Sequence, residues 1–369
     1  MIDEEKTYWI GFSMFPGIGP VRFKLLTSYF GSAKAAWKAP VKECIEIGLG
    51  ETLTHQFDDF RNTFDISAYL TELKSNNASV VTLVDPHYPK LLKQIADAPF
   101  VLYIKGKRGT TPINLERTIG VVGTRKMTPY GEEVTRKLVE GLVFAGFTIV
   151  SGMAYGVDAC AHQAALDIGG TTIAVLGCGI DIIAPSSNAR LYRTIADGHG
   201  AIVSEMPLGM RPNKGLFPAR NRIISGLSLG VVVTEGADDS GALITARNAA
   251  EQGREVFAVP GPITSPYSRG PAKLLKNGAK LVESVEDILE ELNLRHVSHR
   301  GHVPGKRPEG ETEQERKILD ILADRRVHID ELTRVSGLTT SDVAATLTVL
   351  EVRGIICDFG EKVYGINNR

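Results

Sequence analysis

The sequence predicts an α/β protein. Its centre is an extended Rossmann-like, doubly wound and mainly parallel sheet, flanked by an N-terminal small helical module and a C-terminal winged helix. Three observations predict this. Between Thr118 and about Glu291, short β-branched runs alternate with helical patterns, and runs without polar alternation belong to strands buried on both faces. Several of these runs stop at glycine turns, among them Gly123, Gly152 and Gly177. The last segment carries three helical stretches followed by a hairpin-like pattern, which is how a winged helix reads.

In chain order, residues 1–75 read as a module of the SAM or helix-hairpin-helix kind. Tyr8, Ile10, Phe12 and Met14 lead into Phe15-Pro-Gly-Ile-Gly-Pro20, then Val21, Leu25 and Leu26. A Pro-Gly-Ile-Gly hairpin leaves backbone N–H groups free at a helix start, where a phosphate can dock. The alternative is a plain glycine turn between two helices.

Residues 78–292 form the core. Val80–Val84 and Pro99–Gly106 read as strands. Thr118-Ile-Gly-Val-Val-Gly-Thr-Arg125 is a buried strand that ends at Gly123. Thr128 then offers an N-cap oxygen and Pro129 a preset first-turn φ. Val134, Leu138 and Leu142 recur every four residues, with Val139 and Val143 beside them, so one face of this helix packs on the sheet. Thr148–Val150 is the next strand, and Ser151-Gly-Met-Ala-Tyr-Gly-Val-Asp158 is its turn. Further strands follow at Thr172–Leu176, Ala201–Ser204, Gly230–Thr234 and Glu255–Val259. Ligands of doubly wound sheets sit outside the carboxyl ends of the strands. Arg125 therefore projects from the first glycine turn toward a phosphate-binding crevice. The alternative for Arg125 is an ion pair with a surface carboxylate.

Residues 293–312 read as a linker, locally basic and without a sustained apolar period. It contains His296-x-x-His299-x-x-His302, which lacks the cysteine or carboxylate partners of a metal site, so no metal is expected. Residues 313–369 are the winged helix, with Ser336-Gly337 as its helix-turn-helix turn. The would-be recognition helix carries Thr339, Thr340, Ser341, Asp342 and Glu351, with only Arg353 basic. Phosphate binding needs cations, so a protein-contact or regulatory role is favoured there over duplex reading.

Composition bounds the rest. The 369 residues are enough for two or three domains. A net charge of −1 advertises no global field, so a nucleic-acid surface must be a local basic patch. Cys44, Cys160, Cys178 and Cys357 lie far apart, as free thiols in a reducing cytoplasm would. The start, Met1-Ile-Asp-Glu-Glu, is unlike a signal peptide, and no apolar run approaches the ~20 residues of a membrane span. A soluble, cytoplasmic protein without a membrane partner is expected.

Several motifs stand in order: Gly123-Thr-Arg125, Ser151-Gly-x-Ala-x-Gly-x-Asp158, Phe217-Pro-x-Arg-Asn-Arg-Ile-Ile-Ser-Gly226, Thr234-Glu-Gly236 with Ser240-Gly-Ala-Leu-Ile-Thr-Ala246, Val259-Pro-Gly261 and Asn277-Gly-Ala279. Together they resemble the DNA-processing protein A family (DprA, also called Smf), and the resemblance covers nearly the whole chain. It implies a non-enzymatic cytoplasmic protein, without cofactors, that binds single-stranded DNA and loads the RecA recombinase during natural transformation. It implies a DNA site over Gly123, Thr124, Arg125, Ser151, Gly152, Asn188, Arg190, Arg220, Asn221, Arg222, Ser240 and Gly241. A homodimer through the end of the core is also implied, and Leu274, Leu275, Leu281 and Ile288 are expected there, with core burial as the alternative. The family often shows Tyr-Pro-basic-x-Asn after the third strand, where this chain has Ala184-Pro-Ser-Ser-Asn188. The basic contact is missing, and Arg190 and Arg193 lie close enough to replace it.

The residue chemistry agrees. A sequence-tolerant single-strand binder needs cations along the backbone path, amides at loops and planar groups for the bases. Arginine supplies both charge and a stacking plane, and Gly123, Gly152 and Gly179 let main-chain amides approach phosphates. Two rivals are weaker. A Rossmann-type nucleotide phosphoribohydrolase would need Pro-Gly-Gly-x-Gly-Thr, where this chain has Glu235-Gly-Ala-Asp-Asp-Ser-Gly241; Glu205 and Glu235 end strands, but no nucleophile converges on them. A dinucleotide-dependent oxidoreductase would need Gly-x-Gly-x-x-Gly, which Gly120-Val-Val-Gly is not, and Glu140 at the ribose offset falls inside a helix pattern.

Overall fold

In the computed structural model, residues 4–106, 116–213, 215–294, 310–322, 327–358 and 362–366 are described. The histidine triplet of the linker lies outside them. The chain divides into two compact units, residues 1–295 and 296–369.

The first unit begins with six helices: α1 (Glu4–Met14), α2 (Pro20–Phe30), α3 (Ala33–Lys38), α4 (Val41–Glu46), α5 (Glu51–Thr63) and α6 (Ile66–Ser75). Then come β1 (Ser79–Thr82), α7 (Lys90–Lys93), β2 (Val101–Lys105), β3 (Thr118–Val122), α8 (Pro129–Phe144), β4 (Thr148–Ser151), α9 (Val157–Asp167) and β5 (Thr172–Val175). The unit continues through α10 (Ala189–Thr194), β6 (Gly200–Ser204), α11 (Leu216–Gly226), β7 (Gly230–Val233), α12 (Gly241–Glu251), β8 (Glu255–Ala258), α13 (Arg269–Lys276), β9 (Lys280–Leu281) and α14 (Val285–Glu291).

Among the described residues the sheet has nine strands in the order β1-β2-β6-β5-β4-β3-β7-β8-β9. From β6 to β9 all pairs are parallel, while β1 pairs with β2 and β2 with β6 antiparallel. The chain starts its parallel part at β3, winds out to β6, and returns to β7 on the other flank of β3. The switch point therefore lies where β3 meets β7, and the turns after these strands open a crevice there.

Alternation along each strand splits the core between two faces. Ile119, Val121, Ile149 and Val232 pack under α8 and α9 against Leu138, Val139, Leu142, Ala161 and Ala164. Val122, Val150, Val231 and Val233 pack on the other side against Ile223 and Ile224 of α11 and Ala242, Ala246 and Ala249 of α12. Continuous β-branched runs in the sequence reflect this double burial.

The N-terminal helices form one core with the sheet. Phe12, Phe23, Leu26, Phe57, Tyr69 and Leu73 share an apolar cluster with Phe100, Val101 and Tyr103 around β2, Ala174 of β5 and Ile202 of β6. Phe23 and Phe100 stack with centroids 4.1 Å apart and planes at 12°. Ser13 and Tyr103 share a 2.5 Å hydrogen bond, Leu208 N–H donates to the Tyr69 hydroxyl (3.0 Å), and Lys6 pairs with Asp85 (2.8 Å). These helices thus cover the part of the sheet that α8 and α9 leave open.

The second unit contains α15 (Glu313–Leu322), β10 (Val327–His328), α16 (Ile329–Ser336), α17 (Thr340–Val352), β11 (Ile356–Asp358) and β12 (Val363–Ile366), with sheet order β10-β12-β11. Ile318, Leu319, Leu322, Leu332, Val343, Leu347 and Leu350 close a small core. Gly337 takes φ 68° at the end of α16, a left-handed conformation that suits glycine and makes the helix-turn-helix bend. This is a winged helix. Arg353 is held by Glu311 (2.6 Å) and Glu315 (3.3 Å), so the basic residue closing the recognition helix is already paired.

Candidate nucleic-acid interface

Three glycine turns meet at the carboxyl ends of β3, β4 and β5. The first runs from Gly123 to Lys126. A Cβ on Gly123 would lie 2.6 Å from Val157 and 2.7 Å from the Glu235 carbonyl, so only glycine lets the turn tuck between α9 and the end of β7. Thr124 N–H donates to the Glu235 carbonyl (2.7 Å), and Val157 N–H donates to the Thr124 carbonyl (3.1 Å). Below the turn, the buried Glu235 carboxylate accepts from Thr128 N–H (2.9 Å) and its hydroxyl (2.6 Å), and Thr128 Oγ1 caps α8 by accepting from Gly131 N–H (3.1 Å). The two flanks of the switch point are thereby tied together, and Glu235 acts as a brace.

Arg125 stands on this turn. It is exposed, and among the described residues no carboxylate pairs with it. Its guanidinium carbon sits 5.7 Å from the centroid of the Phe217 ring at the start of α11. Phe217 in turn rests against Gly177, where a Cβ would come within 3.3 Å of its ring. Arg125 and Phe217 therefore present a charge over a flat apolar surface. Lys126 beside them is exposed, and Tyr155 in the second turn is 51% exposed. Tyr155 is an aromatic inside a glycine turn, with no strand or helix face to pack on, and that is the signal for it in the sequence; Phe217, in the first turn of α11, carries no such signal.

The other two arginines occupy different positions. Arg220 is buried at 5% exposure: Nη1 donates to the Gly152 carbonyl (2.5 Å) and the Val175 carbonyl, so the side chain bridges the ends of β4 and β5. Asp158 is buried nearby and accepts from Ala154 N–H (3.2 Å). Burial pushes the Asp158 carboxyl upward while Arg220 pulls it down; burial lowers Arg220 and Asp158 raises it. Arg222 is enclosed by Glu205 (2.6 Å) and Asp97 (3.1 Å), and burial raises the Glu205 carboxyl against the pull of Arg222. The three arginines do not share one surface. The sequence held the reason: Arg220, Ile223, Ile224 and Leu227 recur at i, i+3, i+4 and i+7, the buried face of α11. Glu205 and Glu235, weighed as catalytic carboxylates, are both held by these internal partners.

The remaining residues shape the crest. Ser151 is buried, its hydroxyl donating to the Val121 carbonyl (2.7 Å). Gly152 lies against the Arg220 guanidinium. Half-buried Asn188 donates Nδ2 to the Met153 carbonyl (2.9 Å) and ties the Ala184–Asn188 loop to the second turn. Arg190 and Arg193 of α10 are exposed. Asn221 donates to the Gly241 carbonyl (3.3 Å), and Ser240 caps α12 by accepting from Ala242 N–H (3.3 Å).

The four residues expected at a dimer contact are divided. Ile288 is fully buried in the core beneath α8, Leu274 and Leu275 of α13 are half-buried, and Leu281 is 44% exposed on β9, the edge strand of the sheet. Among the described residues no cluster of three or more histidine, cysteine or acidic side chains could hold a metal, and no helix is long and apolar enough to cross a membrane.

Residues 79–293 match the family model described as DNA recombination-mediator protein A, and residues 303–358 match the DprA winged helix domain. The chain is 36% identical to Protein Smf of Synechocystis over 96% of its own length and 97% of that protein. It is 44% identical to DNA processing protein DprA of Bacillus subtilis over 62% of this chain and 76% of that one. The X-ray structure of DNA processing protein A from Streptococcus pneumoniae superposes with a TM-score of 0.68 at 36% identity, covering 79% of this chain and 98% of that one. A structure of DNA processing protein A from Helicobacter pylori, described for its single-stranded DNA binding mode, gives 0.52 at 32% identity, with 58% and 95% covered. With the ordered glycine turns, the doubly wound sheet and the winged helix in place, the chain belongs to the DNA recombination-mediator protein A family, whose members carry the names DprA and Smf.

Proposed function

We propose that this protein binds single-stranded DNA along the crest of glycine turns and delivers it to the RecA recombinase during natural transformation, working in the cytoplasm as a homodimer without catalysing a reaction of its own. The observation that carries the reading is Arg125, exposed, without a carboxylate partner among the described residues, and poised over the Phe217 ring. Such a pair offers a phosphate contact beside a stacking surface, which serves every base equally. Lys126, Arg190 and Arg193 extend the cationic path, and Tyr155 adds a second planar group. Gly123, Thr124, Ser151, Gly152, Asn188, Arg220, Asn221, Arg222, Ser240 and Gly241 form the frame that fixes these turns, with backbone amides as their direct offer to the strand. The names of the relatives, DNA processing proteins, and the single-strand binding described for the Helicobacter pylori protein support this reading.

Titration of labelled single- and double-stranded oligonucleotides of equal length tests it. Preference for the single strand, steeply weakened by salt, is expected. Equal affinity for both forms would overturn it. Acceleration of RecA filament formation on the bound strand tests the delivery step, and no acceleration would remove it from the proposal.

A further inference from the structure

A cavity of about 280 Å³ lies between the N-terminal hairpin and the core. Phe15 and Gly19 of the hairpin line one part, Phe100, Met206 and Met210 another, and Glu205 supplies the one charged side chain of the lining. Arg222 takes Oε2 of that carboxylate, and Oε1 has no partner among the described residues. No lysine, arginine or histidine lines the cavity, so an anion is repelled from it. Flat and flexible apolar groups with one free carboxylate acceptor suit a neutral planar ring bearing an exocyclic amino group, because the N3–H of thymine lies between two carbonyl oxygens that a carboxylate repels.

The rim has the opposite character. Arg22 is exposed and donates to the Gly17 carbonyl at the edge of the cavity (2.7 Å). Arg211, next to Met210, is exposed as well, and neither arginine has a carboxylate partner among the described residues. An apolar interior with an acceptor, inside a cationic rim, is the complement of a nucleotide whose base enters and whose phosphate stays outside. The cavity also adjoins the crest: Leu216 lines it, and the next residue is Phe217, over which Arg125 lies.

The geometry points to a base pocket here, which takes one splayed-out base with an exocyclic amino group from the strand on the crest. The inference rests on the single-strand reading and deepens it. It makes the N-terminal hairpin part of the DNA site through its side of the pocket, and it gives an otherwise sequence-tolerant binder a preference for cytosine and adenine over thymine.

The test uses the intact protein. A Cβ at Gly19 meets nothing within 4 Å and its φ is −86°, so Gly19→Phe adds a ring at the mouth of the cavity, beside its hairpin wall, without backbone strain. Wild type is expected to bind oligo-dC and oligo-dA more tightly than oligo-dT, and Gly19→Phe to lose about fivefold or more in affinity for the first two with little change for the third. A 2-aminopurine placed along a bound oligonucleotide should, at one position, be shielded from acrylamide quenching in wild type. That measurement needs no variant, so it decides the matter even if Gly19→Phe misfolds. Equal affinity for all three homopolymers with no shielded position, or a folded Gly19→Phe protein that binds as wild type does, overturns the pocket. Because Arg125→Ala acts on the crest alone, its loss of binding alongside an unaffected Gly19→Phe would sink the pocket and keep the single-strand site; no binding by wild type would sink both.

Discussion

The guanidinium of Arg220 occupies the space that a side chain at residue 152 would take: a Cβ on Gly152 would lie 2.6 Å from its central carbon. The same guanidinium accounts for the Gly152 and Val175 carbonyls, so glycine and arginine at these positions form one structural unit. Gly152→Ala should therefore cost about 1–3 kcal/mol through overpacking. Arg220→Ala should cost more, because it leaves the Gly152 and Val175 carbonyls unpaired at about 1–3 kcal/mol each and removes the positive charge that offsets burial at Asp158. Chemical denaturation of each variant and of the double variant checks this; additive losses would show that the two residues do not act together.

Arg125→Ala should behave in the opposite way. An exposed side chain without an ion pair contributes little to stability, so the unfolding free energy should stay within about 0.5 kcal/mol of wild type. Single-strand affinity should fall for every sequence, and the plot of log affinity against log salt should flatten by about 0.7 if the residue contacts one phosphate. Loss of affinity with an unchanged slope would instead assign it to stacking. Unchanged affinity would remove the first glycine turn from the DNA site.

Leu281 and Ile288 should separate association from folding. Leu281→Glu places a charge on an exposed edge strand and should give a folded monomer by light scattering if the protein pairs there. Ile288→Glu buries an unpaired carboxylate in the core and should abolish folding. A Leu281→Glu protein that keeps the mass of a dimer would move the interface elsewhere.

Acid should weaken the fold through His162. The ring is fully buried, its Nδ1 hydrogen-bonds Thr172 Oγ1 (2.6 Å), and burial pushes its pKa down to about 3. The unfolded chain takes up this proton near pH 6.5 and the folded chain does not until about pH 3, so stability attributable to His162 falls as pH drops through that window. The slope approaches about 1.4 kcal/mol per pH unit. Denaturant midpoints at pH 7, 5 and 4 should converge between wild type and His162→Gln as pH falls, since the variant lacks this proton. Parallel curves would refute the assignment.

Much of this was legible in the chain. The runs at 118–122, 148–151 and 230–233 reveal themselves because strands buried on both faces need unbroken apolar sequence, and Thr128-Pro129 marks a helix start by local capping chemistry alone. β9 was not visible: two residues, Lys280 and Leu281, carry no periodicity, and their pairing depends on β8. The identity of an arginine says nothing of its burial: Arg222, which leads directly into Ile223-Ile224, reads as the most structural of the three, while the burial of Arg220 shows only when helical phase is applied to α11. The joint core of the N-terminal helices and the sheet was also hidden, since the partners Phe23 and Phe100 are encoded by two segments with no shared local pattern.

That joint core sets an order of events at the ribosome. The N-terminal helices emerge first and Phe100 and Tyr103 follow around β2, yet Ile202, which completes their packing, and Leu208, whose N–H donates to the Tyr69 hydroxyl, come much later in the chain. At a synthesis rate of about 5–20 residues per second, the aromatic faces of those helices stand uncovered for on the order of ten seconds. A nascent chain stalled before β6 is a natural client for a chaperone that holds exposed rings, while one that has passed Leu208 carries every partner those rings need.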